Sequence, residues 1–181
     1  MSIHHEHPAM TTFFTADTHF GHGGARGLYR RPFATTAEMD ATMVRHWRDR
    51  VGAEDEIWHL GDFALGPTGQ RRGELLAQLP GRKHLVTGNN DAAATTSLAD
   101  WSTVQAYAEL VVDGVELVLC HYAFRTWRNM SRGAMNLHGH SHGRLRSLPR
   151  QVDVGVDVWD FRPITLGEIL ATGRSRKAAS S

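Results

Sequence analysis

Cys120 is the only cysteine in this chain of 181 residues. That single thiol excludes an intrachain disulfide and any thiolate-rich zinc cluster. Alternation along a strand turns it away from His121, so a small buried apolar role is expected of it. Long apolar runs are also missing. No stretch approaches the roughly 20 residues that span a bilayer, and no hydrophobic segment follows the N-terminus, so a cytoplasmic protein without a membrane partner is expected. There is no internal repeat, no P-loop and no dinucleotide fingerprint. Net charge is nearly absent too, at +1, yet one region lacks acids altogether. Between His121 and Val152 there is no Asp or Glu, but there are six arginines: Arg125, Arg128, Arg132, Arg144, Arg146 and Arg150. They form either a solvated loop or a field that attracts a phosphorylated substrate.

With 41% hydrophobic and 22% charged residues, the chain has the composition and size of one globular domain. One folded domain is expected over residues 11–171. Polar, aperiodic tails flank it at 1–10, with His4, His5 and His7, and at 172–181. Thr11 to Ala16 reads as a first strand, and residues 36–50 as a helix whose Met39, Met43 and Trp47 share one face. Further strands are expected at 55–61 and 82–88, and helical stretches before Leu79 and over 92–99. Val104–Val112 and Val115–His121 flank Asp113-Gly114, the signal of a two-residue hairpin. Gln151–Trp159 alternates valines with Asp153, Gly155 and Asp157, as a half-buried strand would. Helix-linked strands come first and hairpin-linked strands later, which points to two packed sheets with helices.

The polar residues at the strand ends are the chemically informative ones. In order they are Asp17 and His19, Asp62, Asn89 and Asp91, His121, and His140 and His142. Sites in layered α/β proteins lie beyond the carboxyl ends of strands, so these residues can converge. Asp17 and His19, two apart in extended backbone, point the same way, as do His140 and His142. Asp62 follows a glycine that lets the chain turn, and its two oxygens could bind different cations. Oxygen and imidazole donors without thiolate suit Mn²⁺, Fe, Co²⁺, Ni²⁺ or Zn²⁺ rather than Ca²⁺.

The succession D-x-H, G-D, G-N-x-D, a lone His and G-H-x-H resembles the signature of the calcineurin-like metallophosphoesterases. The resemblance runs from Thr12 to about Ile169 and includes DTHFGH, HLGDFALG, CHYAF with Trp127, and VGVDVWDFRPITLGEI. It is closest in style to the small single-domain phosphoesterases of bacteria and phages. It implies a four-layered αββα sandwich, two mixed sheets flanked by helices. It also implies two divalent metal ions, Mn²⁺ foremost. Asp17, His19, Asp62 and His142 would hold one, and Asp62, Asn89, His121 and His140 the other. The implied reaction is hydrolysis of a phosphoester by in-line attack of metal-activated water.

Position 90 departs from the family, which carries His there as general acid where this chain has Asn90. Asp91, which would orient that His, is left to brace the Asn89 loop. His22 could touch the substrate phosphate or supply a proton. His59 and His138 are either supports for neighbouring ligands or core histidines. Arg125, Arg128 and Trp127 are candidates for substrate binding, and Tyr122, Phe124 and Trp127 could stack on a base. The expected function is a dinuclear phosphodiesterase acting on a phosphorylated small molecule, a nucleotide, a cyclic nucleotide or a nucleic-acid end. A phosphomonoesterase or phosphoprotein phosphatase of the same fold is the alternative, and a catalytically silent metal-binding module is another. The oligomeric state is left open.

Overall fold

The computed structural model describes residues 10–66 and 68–178, with side chains as far as Thr172. His4, His5 and His7 lie outside these residues. The first strand, β1 (Thr12–Thr15), leads through a one-turn helix, α1 (Ala25–Leu28), to α2 (Thr36–Arg50). Then come β2 (Glu56–His59), α3 (Gly69–Ala77), β3 (Arg82–Val86), the short α4 (Ala93–Thr96) and β4 (Trp101–Gln105). The hairpin β5 (Tyr107–Val112) and β6 (Val115–Cys120) is followed by β7 (Met135–His138), β8 (Gln151–Asp153), β9 (Ile164–Thr165) and α5 (Leu166–Ala178).

These strands form two mixed sheets. The first has the order β4-β3-β2-β1-β9, parallel except for β9, and the second has the order β5-β6-β7-β8. In the second, the β5–β6 hairpin is antiparallel and β6, β7 and β8 run parallel. Side-chain alternation gives β1, β2 and β3 of the first sheet two buried faces, whereas the edge strand β4 is buried only at Trp101. Phe14, Trp58 and Val86 meet Leu117, Leu119, Met135 and Leu137 in the core between the sheets. Phe13, Ile57 and Leu85 turn the other way onto Met39, Met43 and Trp47 of α2 and Leu76 of α3. On the outer side of the second sheet, Val118 is covered by Trp127 and Ala134, with Phe124 and Met130 packed alongside. That cover is a loop with a single 3₁₀ turn, Met130–Arg132, so the fourth layer is thin.

Local chemistry explains the elements. The Thr35 hydroxyl caps α2 by accepting from Glu38 N at 3.0 Å, and the Glu38 carboxylate accepts from Ala34 N at 2.8 Å. Asp113 (φ 49°) and Gly114 (φ 77°) supply the left-handed pair that a tight hairpin turn requires.

Three expectations change. Val104 belongs to β4 in the first sheet, not to the hairpin. The alternating segment from Gln151 is a strand only to Asp153, after which Val156–Val158 forms a 3₁₀ turn. Gly155 bridges to Ala16 of the first sheet, so the chain leaves the second sheet there and Val158 is exposed. Helix α5 continues to Ala178, past the boundary expected at 172.

The Trp47 side chain is 1% exposed, and its Nε1–H donates to Pro80 O at 3.0 Å. Trp47→Ala should cost about 3–5 kcal/mol in urea unfolding, with the m-value unchanged. A loss under about 1 kcal/mol would show that α2 is not packed as described.

Candidate metal centre

The carboxyl ends of β1, β2, β3, β6 and β7 meet at one place. The backbone there is unusual, because Asp17, His19, Asp62, His140 and His142 all have φ between 47° and 64°. Such left-handed conformations strain residues other than glycine and collect at functional sites. This corrects the expectation that Asp17 and His19 sit in extended backbone: the chain turns at each of them. Two glycines make the crowding possible. A Cβ on Gly61 (φ 92°) would lie 2.6 Å from Gly88 N and from His121 Nδ1, and one on Gly88 would lie 2.4 Å from Asp62 Oδ1.

The ligand atoms of Asp17, His19 and His142 lie within 4.8 Å of one another, as do those of Asp17, Asp62 and His121. Asp17 is thus common to both groups rather than confined to one. The Asp62 carboxylate stands between them, Oδ2 at 3.5 Å from His19 Nε2 and Oδ1 at 3.7 Å from His121 Nε2. Asn89 Oδ1 is 3.1 Å from His121 Nε2. His140 is exposed at the edge, its ring 5.1 Å from that of His121, while its backbone N–H donates to Asp17.

These residues fit divalent cations on the evidence of their own hydrogen bonds. His121 Nδ1–H donates to Leu60 O at 2.8 Å, so its Nε2 lone pair faces the oxygens of Asp62 and Asn89. His142 Nδ1–H donates to Asp157 Oδ2 at 2.7 Å, leaving its Nε2 lone pair 4.0 Å from Asp17 Oδ1. Lone pairs turned on one another repel unless a cation lies between them. Among the described residues, both nitrogens of His19 are buried without a hydrogen-bond partner, and burial pulls its pKa down to about 3, which keeps the imidazole neutral and able to ligate. Asp17 has its pKa raised well above the usual range by burial, then by the charges of Asp153 and Asp62. A cation would relieve that repulsion.

Position 90 has a definite role here. Its side-chain amide donates to Asp62 Oδ2 at 2.6 Å and its backbone N–H to Asp62 Oδ1 at 2.8 Å. Asp91 accepts from the backbone N–H groups of Asp62, Phe63 and Gly88, and so fixes both loops that carry Asp62 and Asn89. His22 sits at the mouth, its ring 5.4 Å from that of His19. His59 bonds to Thr18 Oγ1 at 2.9 Å, next to Asp17 in the chain, whereas His138 bonds to Gly139 O.

Two substrate-binding candidates lie elsewhere. Trp127 is buried on Val118, and its Nε1–H donates to Ala134 O at 2.9 Å; an indole that completes a small core is not free to stack. Arg128 pairs with Glu109 on the outer face of the second sheet. Arg125 is exposed on the loop after β6.

Sequence reasoning missed Arg31, Tyr29 and the use made of Asp157. Arg31 is 5% exposed and grips Asp157 through Nε and Nη2, each at 2.8 Å, while also donating to the carbonyls of Asp17 and Thr18. Burial alone would raise the Asp157 pKa, but the hydrogen bonds from His142 and Arg31 hold it below the usual value. Tyr29 stacks on the His142 ring, centroids 3.4 Å apart. The one available sequence signal was an Asp in a valine-rich segment that carries the family resemblance.

The calcineurin-like phosphoesterase superfamily domain matches residues 10–158. The chain belongs to that superfamily. It is 32% identical to the Gene 66 protein of Mycobacterium phage D29 over 178 residues, covering 81% of this chain and 88% of the phage protein. It is also 25% identical to the uncharacterized protein MJ1445 of Methanocaldococcus jannaschii over 166 residues, with 87% and 88% covered. Among solved structures, the protein of unknown function AQ665 from Aquifex aeolicus superposes with a TM-score of 0.71 at 23% identity. That match covers 90% of this chain and all but 1% of AQ665, and at this identity it speaks for the fold. Superfamily membership makes the chain a metal-dependent phosphoesterase, a hydrolase of phosphorylated substrates.

Support from Asp157 should matter to the metal. Asp157→Asn is expected to weaken Mn²⁺ binding about 10- to 100-fold in calorimetric titration while the circular dichroism spectrum is kept. Unchanged affinity would mean that His142 holds its orientation without this carboxylate.

Proposed function

We propose that this chain is a dinuclear metal-dependent phosphodiesterase acting on nucleotides, cyclic nucleotides or nucleic-acid ends. The observation that carries the reading is the Asp62 carboxylate, with one oxygen toward His19 and the other toward His121. Asp17, His19, Asp62 and His142 would hold one cation, and Asp62, Asn89, His121 and His140 the other; Asp17 is near enough to serve both. Two divalent cations held there would supply a water of lowered pKa and offset charge on the phosphoryl oxygens.

The chain's own part is orientation and proton control. Leu60 O and Asp157 set the tautomers of His121 and His142 so that each turns a lone pair inward. Asn90 holds Asp62 in place and, being an amide, gives no proton to a departing alkoxide. His22 is the candidate for that task, but burial and the Arg31 charge lower its pKa and favour the neutral ring, a weak acid. A diester with a stable leaving group needs such a proton least, which favours diesters over alkyl monoesters.

Elemental analysis of the purified protein should find two equivalents of transition metal. With Mn²⁺ present, bis(p-nitrophenyl) phosphate should be hydrolysed faster than p-nitrophenyl phosphate, and EDTA should abolish both activities. One weakly held ion with EDTA-resistant turnover would overturn the reading, and faster monoester hydrolysis would transfer it to a phosphomonoesterase. Asn90→His, beside Asp91, should restore part of a general-acid contribution of about 10²–10⁴-fold. The gain should be confined to poor leaving groups. Equal slopes of log kcat against leaving-group pKa for both forms would show that no acid acts from position 90.

A further inference from the structure

The acid-free stretch from His121 to Val152 carries two loop segments on either side of β7, the first of which meets Glu109 and Glu116 of the second sheet through Arg128 and Asn129. Its two exposed segments, 122–132 and 144–150, are sewn together at their bases. Gln151 Nε2 donates to Phe124 O at 2.6 Å, and Arg150 Nη2 donates to Met130 O at 2.8 Å. Arg128 is neutralised by Glu109. Among the described residues, Arg125, Arg132, Arg144, Arg146 and Arg150 form no ion pair with a carboxylate, and all five are exposed. Five exposed guanidinium groups without a carboxylate partner, of which Arg144 and Arg150 each donate to a backbone carbonyl, attract a polyanion rather than a single phosphate.

This surface abuts the metal centre at two points. Arg144 lies 5.7 Å above the Tyr29 ring, which stacks on His142. Tyr122 is 47% exposed, with its ring edge-on to His121 and His140 at 5.1 and 4.8 Å, so it keeps open area beside the ligands. An exposed aromatic ring next to arginines is the platform on which unpaired bases stack.

We propose that this face binds a single strand of nucleic acid, with phosphates on Arg125, Arg132 and Arg146 and a base on Tyr122, leading one phosphodiester into the metal centre. The fate of the bound strand rests on the diesterase reading above, whereas its binding does not. Leu145 and Leu148 are also exposed among the arginines, which would suit an anionic membrane. The strand is favoured because the arginine face runs into the phosphoester site and carries its open tyrosine there.

The test uses the Mn²⁺-loaded protein and a fluorescein-labelled phosphorothioate dT20, which resists hydrolysis, read by fluorescence anisotropy across a NaCl series. Binding should weaken linearly in log–log form. The double variant Arg132→Ser/Arg146→Ser should reduce the slope by about 1.4, at about 0.7 per phosphate contact, with bis(p-nitrophenyl) phosphate turnover unchanged. Tyr122→Ala should lower affinity roughly 5- to 100-fold without changing the slope. An unchanged slope in the double variant would overturn the proposal. So would failure to bind dT20, whether or not phosphatidylserine vesicles are bound; vesicle binding would reassign the face to a membrane. A protein that hydrolyses the diester but ignores dT20 loses this surface alone. One that binds dT20 with the expected slopes but hydrolyses no diester keeps the surface and loses the diesterase reading.

Discussion

Buried negative charge at the strand ends is the constraint on which the rest of this structure depends. Asp17 is fully buried, and Asp62, Asp153 and Asp157 all act on it, so the carboxylates cannot all be ionised comfortably without positive charge among them. The chain supplies part of that charge itself through Arg31, which is buried against Asp157 and donates to the Asp17 and Thr18 carbonyls. Backbone N–H groups supply more: His140 N on Asp17, Asn90 N on Asp62, Gly143 N and Gly155 N on Asp153. What is left are two groups of donor atoms, on Asp17, His19 and His142 and on Asp17, Asp62 and His121, that could hold a metal ion. Left-handed turns at five candidate ligand positions and glycines too crowded to bear a Cβ accompany this gathering of acceptors.

Much of the candidate site was legible because its potential ligands stand at strand ends in short local patterns. Asp17 with His19, and Asp62 after Gly61, can be read from a few adjacent residues, as can the helix of Met39, Met43 and Trp47. The remainder depends on contacts between distant parts of the chain. Arg31 and Asp157 are 126 residues apart, and nothing local to either announces the other. The valine alternation around Asp157 implied a strand, yet the segment crosses from one sheet to the other at Gly155, where it curls into a 3₁₀ turn. Trp127 misled for a related reason. Its neighbours in sequence are arginines, whereas its neighbours in space are Val118 and Ala134. Asn90 was legible as a departure from the family, but only the fold shows its amide on Asp62.

The second sheet and the first are joined near the centre by the bridge between Ala16 and Gly155, and β9 returns to pair with β1. The beginning of the chain is therefore finished by its end. Asp17 and His19 precede Asp157 in synthesis, and must wait for it before His142 is held and Arg31 finds its partner. Such long-range closure is slow to form compared with local helix or hairpin contacts. During synthesis the candidate group of Asp17, His19 and His142 would stand without its support until Asp157 had followed, so completion of that group belongs to a late stage of folding.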